Sequence, residues 1–307
     1  MGLIPGVGVI KKETMLNVKH SSLPYVLVLP SLLFLAFIIV YPLGFSLYYS
    51  FQMWNLQISP VPLGPVGFMN YRTAISDPTF VHSLINTLKL SAAATAIQFV
   101  FGLSIALLLS ENLKGGNVAR ALLIMPTAMA PMVAGFIFRY LYYPDGLIPY
   151  FLSLVRIPIP KEGILGNAST ALWGITLTDV WEWTPFFAII LLAGIKSIPV
   201  EIIEAAQVDG ASFFATFWHI ILPNLRFVAL IIIMIRFMQI FNLFDIIYAE
   251  TMGGPGTSTR TLSYNLYYRG LVEYNIGYSS AIAWIMIIIM VIIINVFLFL
   301  SFKGEEL

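Results

Sequence analysis

Six stretches of this chain are apolar for about twenty residues or more, and that length governs what the segments can become. A helix rises 1.5 Å per residue, so about 20 residues cross the roughly 30 Å of hydrocarbon in a bilayer. The runs lie near Pro24–Tyr49, Thr87–Leu109, Ala121–Leu141, Leu172–Leu192, Val228–Ile247 and Ala281–Phe302. They predict an all-α polytopic membrane protein with six transmembrane helices. The first run is too long for the core of a signal peptide, and no small-residue cleavage site follows it.

Composition agrees. Hydrophobic residues make up 59% and charged residues 10%, against about 25% charged in ordinary soluble domains. The net charge of +1, with no basic run, argues against a nucleic-acid partner. Without cysteine there is neither disulfide nor thiolate chemistry, and His20, His82 and His219 are too scattered for a metal site. The phosphate loop GxxxxGK[ST], HExxH and GxSxG are all missing. Two halves with matching interrupted helices, a mark of many secondary carriers, are also absent. If this chain supports active transport, its energy comes from another subunit.

Basic residues in short loops orient the spans. Lys11, Lys12 and Lys19 precede the first, Lys114 and Arg120 join the second and third, and Lys303 follows the sixth. All lie on one side if the amino terminus is cytoplasmic, together with Lys196 and Arg226. The opposite side receives three longer loops, near residues 50–86, 142–171 and 248–280, with Arg72, Arg156, Lys161, Arg260 and Arg269. These loops are rich in Pro, Gly and aromatics (Trp54, Tyr71, Tyr142, Tyr143, Tyr274), suited to interfacial anchoring or to docking an external protein. Asn167-Ala168-Ser169 fits a glycosylation sequon, a pattern common by chance.

Between the fourth and fifth runs lies EAAQVDGASFFATFWHIILP, from Glu204 to Pro223. Glu201, Glu204, Asp209 and His219 surround a break at Gly210, and Pro223 closes the block. A helix, a glycine and a second short helix ended by proline predict a protruding elbow that a partner can grip. A helix lying on a membrane usually carries Lys and Arg on its polar face, and this one is mainly acidic.

Polar groups inside the spans are the candidates for touching a solute, because a charge there costs about 2.5–3.5 kcal/mol on insertion scales. Asp179, Glu182, Trp183 and Phe186 recur at helical spacing in the fourth run. Arg236, Gln239, Asn242 and Asp245, spaced by threes, are expected to share a face of the fifth. Carboxylates, amides and aromatic rings together suit a sugar, whose hydroxyls take hydrogen bonds and whose apolar face packs on a ring. The same residues also suit a structural ion pair of Arg236 with Asp179 or Glu182, and the two roles are compatible. Carboxylates outnumber Arg236 in this set, which disfavours a strongly anionic solute.

The Glu204–Pro223 block resembles the EAA loop of permease subunits in binding-protein-dependent ABC importers, through Glu204, Ala205, Ala206, Asp209, Gly210, Ala211, Phe217, Ile220, Leu222 and Pro223. Trp181 to Pro185, Leu191 to Gly194, Ile198-Pro199, Phe244-Asp245, Ile247-Tyr248, Thr251 and Gly253 to Pro255 extend the likeness to carbohydrate-uptake permeases of the maltose type. Tyr41-Pro42, Asn86-Thr87 and the run Gly67 to Tyr71 carry it toward the amino terminus. Phe227 stands where many relatives place a second proline, and Arg236 where they are usually uncharged.

The resemblance implies the ABC importer type I permease fold, with a cytoplasmic segment 1–23, a six-helix domain 24–302 and a tail 303–307. The loop 195–226 would carry the coupling helices, and the spans on either side of it would line the pathway. Expected partners are two copies of an ATP-binding subunit, a second and different permease, an extracytoplasmic solute-binding protein and a sugar, in the inner membrane of a prokaryote with both termini cytoplasmic. ATP and magnesium would sit on the ATPase, with no cofactor on this chain. The competing readings are a channel or secondary carrier, which needs no coupling loop, an intramembrane enzyme using Asp179 and Glu182, and a scaffold subunit.

Overall fold

The structure, a computed structural model, describes residues 23–111 and 115–302. Lys11, Lys12, Lys19, His20, Lys114 and Lys303, and with them nearly all of segment 1–23 and the whole of 303–307, lie outside the described residues. The chain divides after Ser46 into two compact units.

Helix α1 (Leu23–Ser50) runs through both Pro30 and Pro42. Its apolar side chains from Leu27 to Val40 are exposed, as a span facing lipid requires. Phe37, Tyr41 and Phe45 form a ladder four residues apart, with ring centroids at 5.5 and 6.3 Å.

In the second unit, α2 (Met69–Ser76) leads into α3 (Pro78–Ser110). The long helix starts at Pro78 rather than Thr87, because Asp77 caps it by accepting the Thr79 N–H at 2.8 Å and Pro78 fills the first helical position. The third apolar run departs from expectation. It is α4 (Gly116–Ile124), a 3-10 turn Met125–Ala128 and α5 (Pro131–Leu141), and the two helical arms differ by 93°. Pro126 and Pro131 each remove a backbone donor, and Pro131 drives Ala130 to an extended ψ of 132°. A short α6 (Leu147–Leu154) precedes α7 (Ala171–Lys196), the straightforward fourth span.

Beyond it come α8 (Val200–Val208), α9 (Phe213–Thr216), a π-turn Phe217–Ile221 and α10 (Leu222–Phe241). The stretch Phe213–Phe241 is one helical span. Pro223 therefore does not end the second arm of the elbow. It sits in the first turn of α10, directly after the π-turn, where proline's missing N–H is tolerated. The fifth span also begins before Val228 and stops at Phe241, short of Ile247. The chain then makes α11 (Asp245–Glu250), α12 (Leu262–Tyr267), a second π-turn Tyr268–Val272 and α13 (Ile276–Phe302).

The centre is built where α3, α7 and α10 pack. Leu103, Phe187, Leu191, Leu225 and Ile232 form one buried cluster, and Leu90, Ala94, Ile175 and Ile240 belong to a second. The approach of α3 to α7 is close enough that a Cβ on Gly102 would run into the Cβ of Phe187. Among the described residues, five helices are long and apolar enough to span a membrane, and the bent pair makes a sixth if its two arms count as one.

Candidate functional site

Two groups of candidate residues occupy different parts of the second unit. The elbow is closed by hydrogen bonds typical of a glycine-ended helix. Gly210 N–H bonds to Gln207 O at 3.0 Å and Ala211 N–H to Ala206 O at 2.9 Å. Gly210 holds φ at +81°, the left-handed conformation this motif needs and side chains resist. Ser212 then caps α9 by accepting the Ala215 N–H at 3.3 Å. Glu204, Ala205, Asp209, Gly210 and Pro223 are exposed, and Ala206 and Ala211 are half-buried.

Phe217, Ile220 and Leu222 turn inward and pack on the core cluster of Leu225 and Ile232, so they attach the elbow rather than present it. The outward surface instead includes Val208, Phe214 and Trp218, which are 88%, 72% and 60% exposed. Beside them a cleft of about 500 Å³ is lined by Ser110, Glu111, Lys196, Gln207 and Phe213.

The second group meets inside the bundle. Arg236 on α10 spans the gap to α7 through two bonds from Nη2 to the Asp179 carboxylate, at 3.0 and 2.9 Å. Its Nε donates to Gln98 Oε1 at 3.2 Å, and Nη1 donates to Gln239 Oε1 at 2.8 Å. Gln98 in turn donates to Asp179 Oδ2 at 2.6 Å and to the Asp179 carbonyl at 3.0 Å. The guanidinium lies over the Trp183 ring at 4.5 Å, and Trp183 meets Phe186 edge-on at 5.9 Å. Asp179 and Arg236 are 1% and 2% exposed. Such a charge pair is retained in a low-dielectric interior only when its remaining donors and acceptors are also satisfied, as they are here.

Arg236 therefore pairs with Asp179 and not with Glu182. Glu182 is fully buried one turn along, and both of its carboxylate oxygens lack a hydrogen-bond partner among the described residues. Asn242 and Asp245 make no hydrogen bond to the group among the described residues, although the Asp245 carboxylate lies near enough for its charge to act on Glu182. Helix α10 ends at Phe241, Asn242 donates to the Met238 carbonyl at 3.0 Å, and Asp245 is exposed on α11. Spacing by threes also misleads here: each step turns about 300° around a helix, so nine residues carry a side chain to the opposite face.

Gln98 was not anticipated, although an amide amid the apolar run of α3 was a usable signal. Glu250 is a second unanticipated polar residue. It is 3% exposed, accepts from the Thr178 hydroxyl at 2.6 Å, and burial pushes its carboxyl up to about 8 against the weaker pull of that bond.

In the loop after α1, the Asn70 amide donates to the carbonyls of Ser50 and Gln52, both at 2.9 Å. The Tyr71 hydroxyl meets Ser50 Oγ at 2.7 Å. This pair shapes the loop itself. Asn167 accepts from the backbone and hydroxyl of Ser169, at 2.9 and 2.6 Å, a local turn just before α7.

Residues 98–303 match the family described as binding-protein-dependent transport system inner membrane component. The trehalose/maltose transport system permease protein MalF of Thermococcus litoralis is 32% identical over 277 residues, covering 89% of this chain and 92% of that protein. Among solved structures, a bacterial ABC transporter that imports the acidic polysaccharide alginate matches with a TM-score of 0.79 at 22% identity, over 94% of this chain and 97% of that one. A bacterial alginate transporter in complex with its pentasaccharide-bound periplasmic protein matches with a TM-score of 0.76 at 22% identity, over 92% and 94%.

Proposed function

Because this chain belongs to the family of binding-protein-dependent transport system inner membrane components, we propose that it forms half of the translocation pathway for a sugar or oligosaccharide in an ATP-driven ABC importer. The observation that carries this reading is the exposed elbow, acidic and aromatic on its surface and closed by hydrogen bonds at Gly210. One of two copies of an ATP-binding subunit grips it, with Glu204 and Asp209 as polar contacts and Val208 and Phe214 as apolar ones. ATP and magnesium stay on those subunits, and this chain holds no cofactor.

A second, different permease completes the cavity. An extracytoplasmic solute-binding protein delivers the sugar to the external loops around Asn70, Tyr143 and Gly253. The six-helix domain lies in the inner membrane of a prokaryote, with segment 1–23, the coupling loop 195–226 and the tail 303–307 on the cytoplasmic side. The basic residues Lys196 and Arg226 near the elbow support that orientation. ATP binding closes the ATPase pair, pushes on α8 and shifts the inward-facing population outward, because nucleotide binds the two states with different affinity. Asp179 and Arg236 latch α7 to α10, with Glu182 buried beside them, while Trp183, Phe186 and Gln239 line the pathway.

Affinity purification of the tagged chain from its native membranes in gentle detergent tests the assembly. An ATPase, a second permease and a solute-binding protein should accompany it. A chain that purifies alone, and whose membranes take up sugar without ATP, would overturn the proposal.

A further inference from the structure

A cavity of about 700 Å³ opens between α3 and the first turns of α7, at the end of α7 opposite to the elbow. Lys89, His82, Asn86, Trp173, Ser169 and Ser258 are among the residues that line it. The lining contains one ammonium group and no carboxylate. Lys89 is exposed and makes no ion pair among the described residues. The Trp173 indole is 55% exposed, so a face of the ring is open to a ligand.

The polar groups around these two are already held in place. Asn86 spends its amide donors on the carbonyls of Ser258 and Arg260, at 2.9 and 3.1 Å, which leaves its amide oxygen as an acceptor. Ser258 Oγ is buried without a hydrogen-bond partner. A fixed amide, a waiting hydroxyl, a cation and an open indole face are the parts expected of a site for a polar ring carrying negative charge.

The cavity lies at one end of a stripe on α7 that leads to the polar cluster deeper in the bundle. Leu172, Thr176, Asp179, Trp183 and Phe186 follow one another at steps of four and three residues, so they form a single stripe along α7. Leu172 and Thr176 belong to the cavity wall. Seven residues at 1.5 Å each put Thr176 about 10 Å from Trp183 along the helix axis.

Charge availability along this stripe differs from what a count of carboxylates suggests. Asp179 is consumed by Arg236, and Glu182 is fully buried. The charge left open in the cavity at the end of this stripe is that of Lys89.

We propose that this cavity is the entry subsite of the pathway and that it takes an acidic saccharide. Lys89 pairs with the carboxylate of a sugar acid, the pyranose ring stacks on Trp173, and Asn86 Oδ1 and Ser258 Oγ take ring hydroxyls. The inference rests on the carbohydrate reading above and adds to it the class of sugar.

The test uses the complete importer in phosphatidylcholine nanodiscs, with digalacturonate and its carboxyl-reduced neutral disaccharide as probes. Digalacturonate should bind about tenfold tighter than the neutral sugar, roughly one charge-assisted contact. Lys89→Gln should abolish that preference while leaving neutral binding in place, and Trp173→Ala should weaken both. Equal binding of the two probes, or a preference that survives Lys89→Gln, overturns the proposal.

Nanodiscs containing phosphatidylglycerol provide the second arm. If the anionic lipid perturbs Trp173 fluorescence and neither saccharide binds, the cavity is a lipid site and the proposal is wrong. ATP-driven uptake of a set of neutral di- and trisaccharides separates the two levels of argument. If such uptake proceeds without any acidic preference at Lys89, only the entry subsite falls. If no saccharide of either kind is bound or transported, the carbohydrate reading falls with it.

Discussion

Arg236 donates four hydrogen bonds to three side chains on α3, α7 and its own helix, and all of its neighbours depend on its charge. Replacing it with methionine leaves the Asp179 carboxylate buried with only Gln98 to answer it. Breaking one partner of a buried pair costs about 3–5 kcal/mol, whereas replacing both with apolar groups of similar size is often nearly neutral. Arg236→Met should therefore lower the thermal unfolding temperature in nanodiscs far more than Arg236→Met combined with Asp179→Leu. Additive losses across the double-mutant cycle would show that the two side chains do not act as a pair. Both residues were visible as intramembrane charges in the sequence, and the pairing was one of two open choices. What selected Asp179 over Glu182 was the approach of α10 to α7, with Gln98 filling the remaining hydrogen bonds.

At the scale of elements, short polar clamps decide how the helices end and where they meet. Asp77 caps α3 through the Thr79 N–H, and also accepts from Arg269 Nη2 at 2.8 Å and from the Tyr278 hydroxyl at 2.9 Å. One carboxylate thus joins the start of α3 to the second π-turn and to α13. Burial works against its charge, but the bonds from Thr79, Tyr278 and Arg269 outweigh it, and its pKa is lowered below the usual 3.8. A carboxyl with a lowered folded pKa contributes stability above its unfolded value and loses it as pH falls through the folded one. The unfolding temperature should hold down to pH ~4 and then drop more steeply than in Asp77→Asn, which lacks the titrating group. Parallel pH profiles for the two proteins would remove Asp77 as the cause. The same scale explains the bent third span and the fifth span's early end. Each apolar run was legible as membrane-spanning, but a proline pair bends one and an asparagine at the carboxyl end stops the other.

For the whole molecule, the elbow of the proposed importer carries force between subunits without being part of the pathway. A Cβ at Gly210 would meet nothing within 4 Å, so a larger residue is resisted by the backbone conformation at φ +81° and not by crowding. Gly210→Trp should open the closing turn after α8 while the core contacts of Phe217 and Leu222 keep the chain folded. In the reconstituted importer, transport should fall by about tenfold or more while ATP hydrolysis continues, equivalent to ~1.4 kcal/mol on the transport barrier. Transport at the wild-type rate would mean that the elbow's shape is not what couples the subunits.

By itself the sequence determined the class of this protein, because the length of an apolar run and the chemistry of the Glu204–Pro223 block are local properties carried by neighbouring residues. It also marked Asp179, Trp183 and Arg236, since a charge or an indole among apolar residues stands out wherever the chain goes. Tertiary structure decided the rest. The partner of Arg236, the inward turn of Phe217 and Leu222, and the joining of Lys89 to Trp173 around one cavity all depend on how separate helices approach one another. A helical period assigns a residue to a face of its own helix. Only packing between helices decides what that face meets.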